Sequence, residues 1–157
     1  MHGTDLSDLL EPETVLAHVG VGSKRALFAA LATAAAAAWD LDAKLVGERL
    51  AEREKLGTTG FGGGIALPHA RIEGIGQVRG VFARLVRPIE FGAVDELPID
   101  LAFMLLSPPD AGADHLKSLA RVSRRLRDRG FAQKLRGAGS RDALCALLAG
   151  VEARDAA

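Results

Sequence analysis

The chain has 157 residues, and its twenty Lys and Arg balance twenty Asp and Glu, leaving a formal net charge of zero at pH 7. That length suits a single domain, residues 1–157, able to bury roughly 70% of its unfolded surface, and the balance of charge provides no global field to attract nucleic acid or an anionic membrane. One cysteine, Cys145, excludes an internal disulfide and a cluster of thiolate metal ligands.

Taken in chain order, residues 4–10 predict a short helical turn with Leu6, Leu9 and Leu10 on one side. Val15 to Val19, bounded by Gly20 and Gly22, predicts a strand. Ser23 is a candidate N-cap for an alanine-rich helix reaching Trp39, because its hydroxyl can accept an orphan N–H of the first turn. The apolar part of that helix falls short of the about 18 residues a membrane span needs, and Asp5, Asp8, Glu11 and Glu13 precede it, unlike a signal peptide. A cytoplasmic protein with no insertion into the membrane is the expectation.

A second helix is predicted from Asp42 to just before Gly57, with Ala43, Val46 and Leu50 on a stripe that continues to Arg53. A guanidinium at the inner end of an apolar stripe meets an anion or lies at the rim of a cleft; the plainer alternative is a snorkelling Arg paired with a nearby carboxylate. Ile65 to Leu67 predicts a short strand ended by Pro68. Val78–Val86 and Leu97–Leu106 predict two central strands, paired antiparallel through a connection holding Pro88, Gly92, Asp95 and Pro98. Leu116, Leu119, Val122 and Leu126 predict a helical stripe from about Ala113 to Gly130, and two shorter helices cover about Phe131–Leu135 and Ser140–Leu148. Fraying is expected at about 1–4 and 151–157. Helices, then strands, then helices predict an α/β domain of three layers, α/β/α, with a central mixed β-sheet flanked by helices.

The stretch from Arg53 to Arg71 concentrates the chemistry, with five glycines, Thr58, Thr59 and a His between Pro68 and Ala70. Glycines 57 to 64 suggest a concave array of backbone donors suited to an anion. A P-loop is excluded because Gly62 is followed by Gly63 and Gly64 rather than Gly-Lys-Ser/Thr, and the dinucleotide spacing fails because Ile65 stands where the third glycine belongs. Of four histidines, His2 and His18 read as incidental, and no pair has metal-ligand spacing, so neither a metal nor another cofactor is expected. A lone His is ordinarily a satisfied polar residue, but His69 has a rigid approach through Pro68, a glycine loop and Arg53 nearby. Imidazole is a competent nucleophile near neutral pH, and phosphoryl transfer asks mainly for in-line positioning and charge stabilisation. His115, at the start of its helix, is placed where a dipole favours a neutral ring able to donate a hydrogen bond to phosphate. The Arg121, Arg124, Arg125, Arg127 and Arg129 cluster reads as a solvated or partner-facing edge, since no aromatics interleave with it.

Arg53-Glu54-Lys55, Thr58-Thr59-Gly60 and Gly64-Ile65-Ala66-Leu67-Pro68-His69 resemble the active-site signature of the fructose/mannitol/nitrogen-regulatory IIA proteins of the bacterial phosphoenolpyruvate-dependent phosphotransferase system. Pro88-Ile89-Glu90-Phe91, Pro98-Ile99-Asp100-Leu101 and His115-Leu116-Lys117 resemble that family's later blocks. The resemblance implies that His69 accepts a phosphoryl group on Nε2 from a small HPr-like carrier, that Arg53 and His115 are its active-site partners, and that Thr59, Thr58 and Gly60 lie near the phosphate. It implies as partners the phosphorylated carrier and either regulatory targets or a IIB component. The chain's few residues before the first block look more like the free-standing nitrogen-regulatory type. A separately encoded fructose- or mannitol-type IIA is the alternative, and a binding module without phosphotransfer a second one.

Overall fold

A computed structural model describes residues 5–151. The ends expected to fray lie, Val151 apart, outside the described residues, as does His2. Two 3-10 turns, Ser7–Leu9 and Pro12–Thr14, lead into strand β1 (Val15–Val19) and helix α1 (Lys24–Trp39). Ser23 caps α1, its hydroxyl accepting from Ala26 N at 3.1 Å, and the helix ends on Asp40 in a left-handed conformation, φ 55°. Asp42 caps α2 (Ala43–Lys55) by accepting from the N–H groups of Lys44 and Leu45. Four strands follow, β2 (Gly60–Gly62), β3 (Ile65–Ala66), β4 (His69–Arg71) and β5 (Arg79–Ile89), then β6 (Ile99–Ser107) and helices α3 (Ala113–Arg127), α4 (Arg129–Gly137) and α5 (Arg141–Leu148).

The sheet runs β1-β5-β6-β3-β2, with β4 also on β6. The β5–β6 pair is antiparallel, while β1 on β5 and both β3 and β4 on β6 are parallel, so the sheet is mixed as expected. Alternation along the two central strands builds two cores, because successive side chains point to opposite faces. Val81, Ala83, Leu85, Ala102, Met104 and Leu106 pack against α1 and α2. Phe82, Leu101, Phe103 and Leu105 pack against the first 3-10 turn and α3, α4 and α5. The predicted three layers are therefore present.

Some predicted details differ: Pro88, expected in the connection, lies within β5, and Gly130, expected to end the third helix, lies within α4, α3 having stopped at Arg127. Pro68 does not end the strand but interrupts it, since β3 and β4 both pair parallel with β6 and the Pro68 carbonyl still accepts from Leu105 N at 2.9 Å. Proline removes only its own N–H, and the acceptor side of the ladder survives. Leu116 is 65% exposed and leaves the predicted stripe of α3; His115 takes the buried place, with Val122 and Leu126.

Candidate functional site

The interrupted strand places His69 as the first residue of β4, half-buried, with Ala70 turned into the α1/α2 core and Arg71 on the same face as His69 two residues on. Turning back over this face, α3 brings His115, the third residue of the helix and 6% exposed. The two rings stand 5.7 Å apart between centroids, tilted by 58°.

Hydrogen bonds fix which nitrogen of His69 is available. Nδ1 lies 2.7 Å from the Leu67 carbonyl, which can only accept, so Nδ1 carries the proton and Nε2 holds the lone pair. Burial pushes the His69 pKa below 6.5; the Leu67 carbonyl and the Glu54 charge favour the protonated ring, and the Arg53 charge opposes it. His115 is pushed down to about 4, first by burial and then by the charges of Arg71 and His69. Both rings are thus neutral at pH 7. Neither Nε2 is among the buried polar atoms that lack a partner, so each retains access to solvent.

Arg53 is half-buried in the last turn of α2, and its Nη1 donates to the Gly57 carbonyl at 2.9 Å. Glu54, the carboxylate next to it in sequence, is engaged elsewhere. Glu54 accepts from Thr59 N at 3.1 Å, from Thr59 Oγ1 at 2.6 Å and from Lys24 Nζ at 2.9 Å. Burial raises the Glu54 pKa, but hydrogen bonds from Thr59, Lys24 and Thr58 outweigh it and hold the carboxyl below its usual range.

The expected glycine cradle is not formed. The Gly60 N–H donates to Thr58 Oγ1 at 3.1 Å, the Thr59 N–H to Glu54 and the Gly63 N–H to Asp95 Oδ2 at 3.0 Å, so these donors are already engaged within the chain. Instead the glycines make a hairpin, β2 antiparallel to β3, with left-handed backbone at Gly63 and Gly64, φ 68° and 82°. Gly60 is needed for packing, because a Cβ there would meet Ala93 Cβ at 2.8 Å and Phe91 Cδ1 at 2.9 Å. From the opposite layer, Arg136 in α4 donates to the Gly63 carbonyl at 2.8 Å and forks onto Asp100 at 2.9 and 2.8 Å.

The structure therefore gathers His69, His115 and Arg53, with Thr59 buried against Glu54 and Thr58 and Gly60 bonded to each other. Sequence reasoning overlooked Glu54, although an acid between two bases, five residues before Thr59, was a signal that it had a local partner. It also overlooked Arg71, which the period of a strand places beside His69. Among the described residues, no group of three or more His, Cys, Asp or Glu is placed to hold a metal, and no helix is long and apolar enough to cross a membrane.

A surface-accessible neutral imidazole with its lone pair free, a second neutral imidazole beside it and an arginine whose charge reaches it form a site suited to receiving a phosphoryl group. The comparisons agree with that chemistry. The family described as phosphoenolpyruvate-dependent sugar phosphotransferase system, EIIA 2, matches residues 8–150. A nitrogen regulatory protein of Bradyrhizobium diazoefficiens is 45% identical over 144 residues, 92% of this chain and 94% of that protein. A fructose-specific EIIA component of Haloferax volcanii is 40% identical over 112 residues, 71% of each chain. The crystal structure of the nitrogen regulatory protein IIA-Ntr from Neisseria meningitidis superposes with a TM-score of 0.86 at 33% identity, covering 91% of this chain and 98% of its own. Matched along nearly its whole length in sequence and in fold, the chain belongs to the type 2 EIIA family of the phosphoenolpyruvate-dependent phosphotransferase system.

Proposed function

We propose that this protein accepts a phosphoryl group on His69 Nε2 from a phosphohistidine of a small HPr-like carrier, and that it works as a nitrogen-regulatory-type signalling protein. The observation that carries the reading is the His69 Nδ1–Leu67 carbonyl bond, which leaves Nε2 as the nucleophile beside His115. The Nε2 lone pair forms the new N–P bond as the carrier's N–P bond breaks, and the carrier ring recovers its electron pair and takes a proton from solvent. His69 keeps its Nδ1 proton on the Leu67 carbonyl. Arg53 supplies positive charge to the transferring group, where charge stabilisation is the main catalytic demand. Thr58, Thr59 and Gly60 shape the loop beside it, and Thr59 contributes a hydroxyl to the phosphate only by leaving Glu54.

The nitrogen-regulatory branch is supported by the 45% identity with the Bradyrhizobium protein over nearly the full length of both chains. Its partners are then regulatory proteins that distinguish the two states of His69, since phosphate adds a dianion to the surface. The second reading, transfer onward to a IIB component for sugar uptake, draws on the likeness to the Haloferax fructose-specific component.

The test is incubation with a phosphorylated HPr-like carrier. One acid-labile, base-stable label per chain is expected, absent in His69→Ala; a label that persists in that variant rejects the assignment. Adding a IIB protein separates the branches, since loss of the label to IIB favours sugar uptake.

A further inference from the structure

Ser107, the last residue of β6, is fully buried, and its hydroxyl lies 2.5 Å from His115 Nδ1. Two arrangements fit that distance. In one, Nδ1 carries the ring proton and donates to the serine oxygen; in the other, the serine hydroxyl donates to an unprotonated Nδ1. Among the described residues, Ser107 Oγ has no other partner. In the first arrangement the hydroxyl proton is left without an acceptor at a site of zero exposure, which costs the desolvation of a buried donor. In the second, every polar atom of the pair is satisfied: the hydroxyl donates, Nδ1 accepts, and the remaining ring proton sits on Nε2, which still reaches solvent.

We propose that Ser107 is a positioning residue for phosphoryl transfer: by donating to Nδ1 it fixes His115 as the Nε2–H tautomer and aims that N–H at the phosphoryl group on His69. This rests on the proposed acceptor role of His69. The two rings then hold opposite tautomers for opposite tasks. His69 carries its proton on Nδ1, donating it to the Leu67 carbonyl, and offers a lone pair at Nε2, whereas His115 is unprotonated on Nδ1 and offers a proton at Nε2. A backbone carbonyl sets one and a side-chain hydroxyl the other, as the bond to the far ring nitrogen sets the near one. The rings stand 5.7 Å apart between centroids, a separation that a phosphoryl group on His69 can bridge. Burial and the flanking charge of Arg71 keep the His115 ring neutral, so its tautomer is a real variable at pH 7.

The experiment pairs ring nitrogen-15 spectra at pH 7 with single-turnover transfer from the phosphorylated carrier, for the wild type, Ser107→Ala and Ser107→Thr. His115→Gln identifies the His115 signals. Expected are an Nε2–H tautomer for His115 in the wild type, a gain of the Nδ1–H form in Ser107→Ala, and with it a fall of about fivefold in the transfer rate, the share of one net hydrogen bond. Ser107→Thr, which keeps the hydroxyl, should retain both tautomer and rate. The proposal is overturned if wild-type His115 carries its proton on Nδ1, if Ser107→Ala slows transfer with the tautomer unchanged, or if the tautomer changes and the rate does not. Should Ser107→Ala not fold, the wild-type spectrum and Ser107→Thr decide. Failure of the parent reading looks different, because His69→Ala would still take the label.

Discussion

Arg53 Nη1 donates to the carbonyl of Gly57, four residues on, so the guanidinium is tied to the start of the glycine hairpin and held where its charge bears on His69. The bond uses one corner of the fork and leaves other N–H groups for an incoming anion. Arg53 thereby lies both in the last turn of α2 and at the candidate site.

Arg53→Ala is expected to slow transfer from the phosphorylated carrier by about 100-fold, the usual loss when one charge-stabilising donor is removed. Stability should fall by no more than about 1 kcal/mol, since a single hydrogen bond at a half-exposed position is lost. Stopped-time labelling and urea unfolding measure the two, and a large stability loss with normal transfer would make Arg53 structural only.

Acid should destabilise the fold before the carboxylates titrate. The His115 pKa is about 4 in the fold, against about 6.5 in the unfolded chain, and His69 is lowered as well. Between those values the unfolded chain binds more protons, so stability present at pH 7 is lost as pH falls from about 6.5 towards 4. Urea midpoints at pH 7, 6 and 5 should decrease in that order, and His115→Gln should flatten the slope. A midpoint that rises on acidification over this range contradicts the assignment.

Arg84 is a buried arginine in β5 whose guanidinium donates to four carbonyls, those of Ala17, Leu135, Arg136 and Ala138. It ties β1 to the open C-terminal end of α4, where carbonyls have no partner within the helix. Arg84→Met should cost about 3 kcal/mol or more in urea unfolding, because several buried acceptors lose their donors at once. Equal midpoints for variant and wild type would show that water replaces the guanidinium.

Gly60→Ala should lose about 1–3 kcal/mol through overpacking against Ala93 and Phe91. Gly63→Ala has open space for the new methyl group, and its cost is the left-handed backbone alone, about 1 kcal/mol. Thermal unfolding of the two variants orders them, and a Gly60 variant as stable as the wild type would refute the packing account.

Much of this was readable from sequence because the signals were local. Ser23 and Asp42 announced their helices through side-chain oxygens at the cap, and the apolar runs of β5 and β6 announced strands buried on both faces. What could not be read was allegiance across the chain. Glycines 57 to 64 carry the composition of an anion cradle and of a tight hairpin alike; Glu54, Thr58 and Asp95 decide between them by taking the backbone donors. The exposed Leu116 and buried His115 likewise reflect what α3 meets, since polar His115 gains Ser107 as a partner and Leu116 gains none. Pro68 signalled a stop, but one missing N–H was not enough to part the strand from β6.

The clamp from Arg136 to Gly63 and Asp100 ties the last third of the chain to the glycine hairpin beside the candidate site. A fragment cut before α4 would still contain His69, His115 and Arg53, yet it would lose the guanidinium that holds the Gly63 carbonyl, leaving the hairpin tip to Asp95 and the strand pairing. The unit that holds the candidate site is thus longer than the span from Arg53 to His115, and trimming its tail is an operation on the site itself.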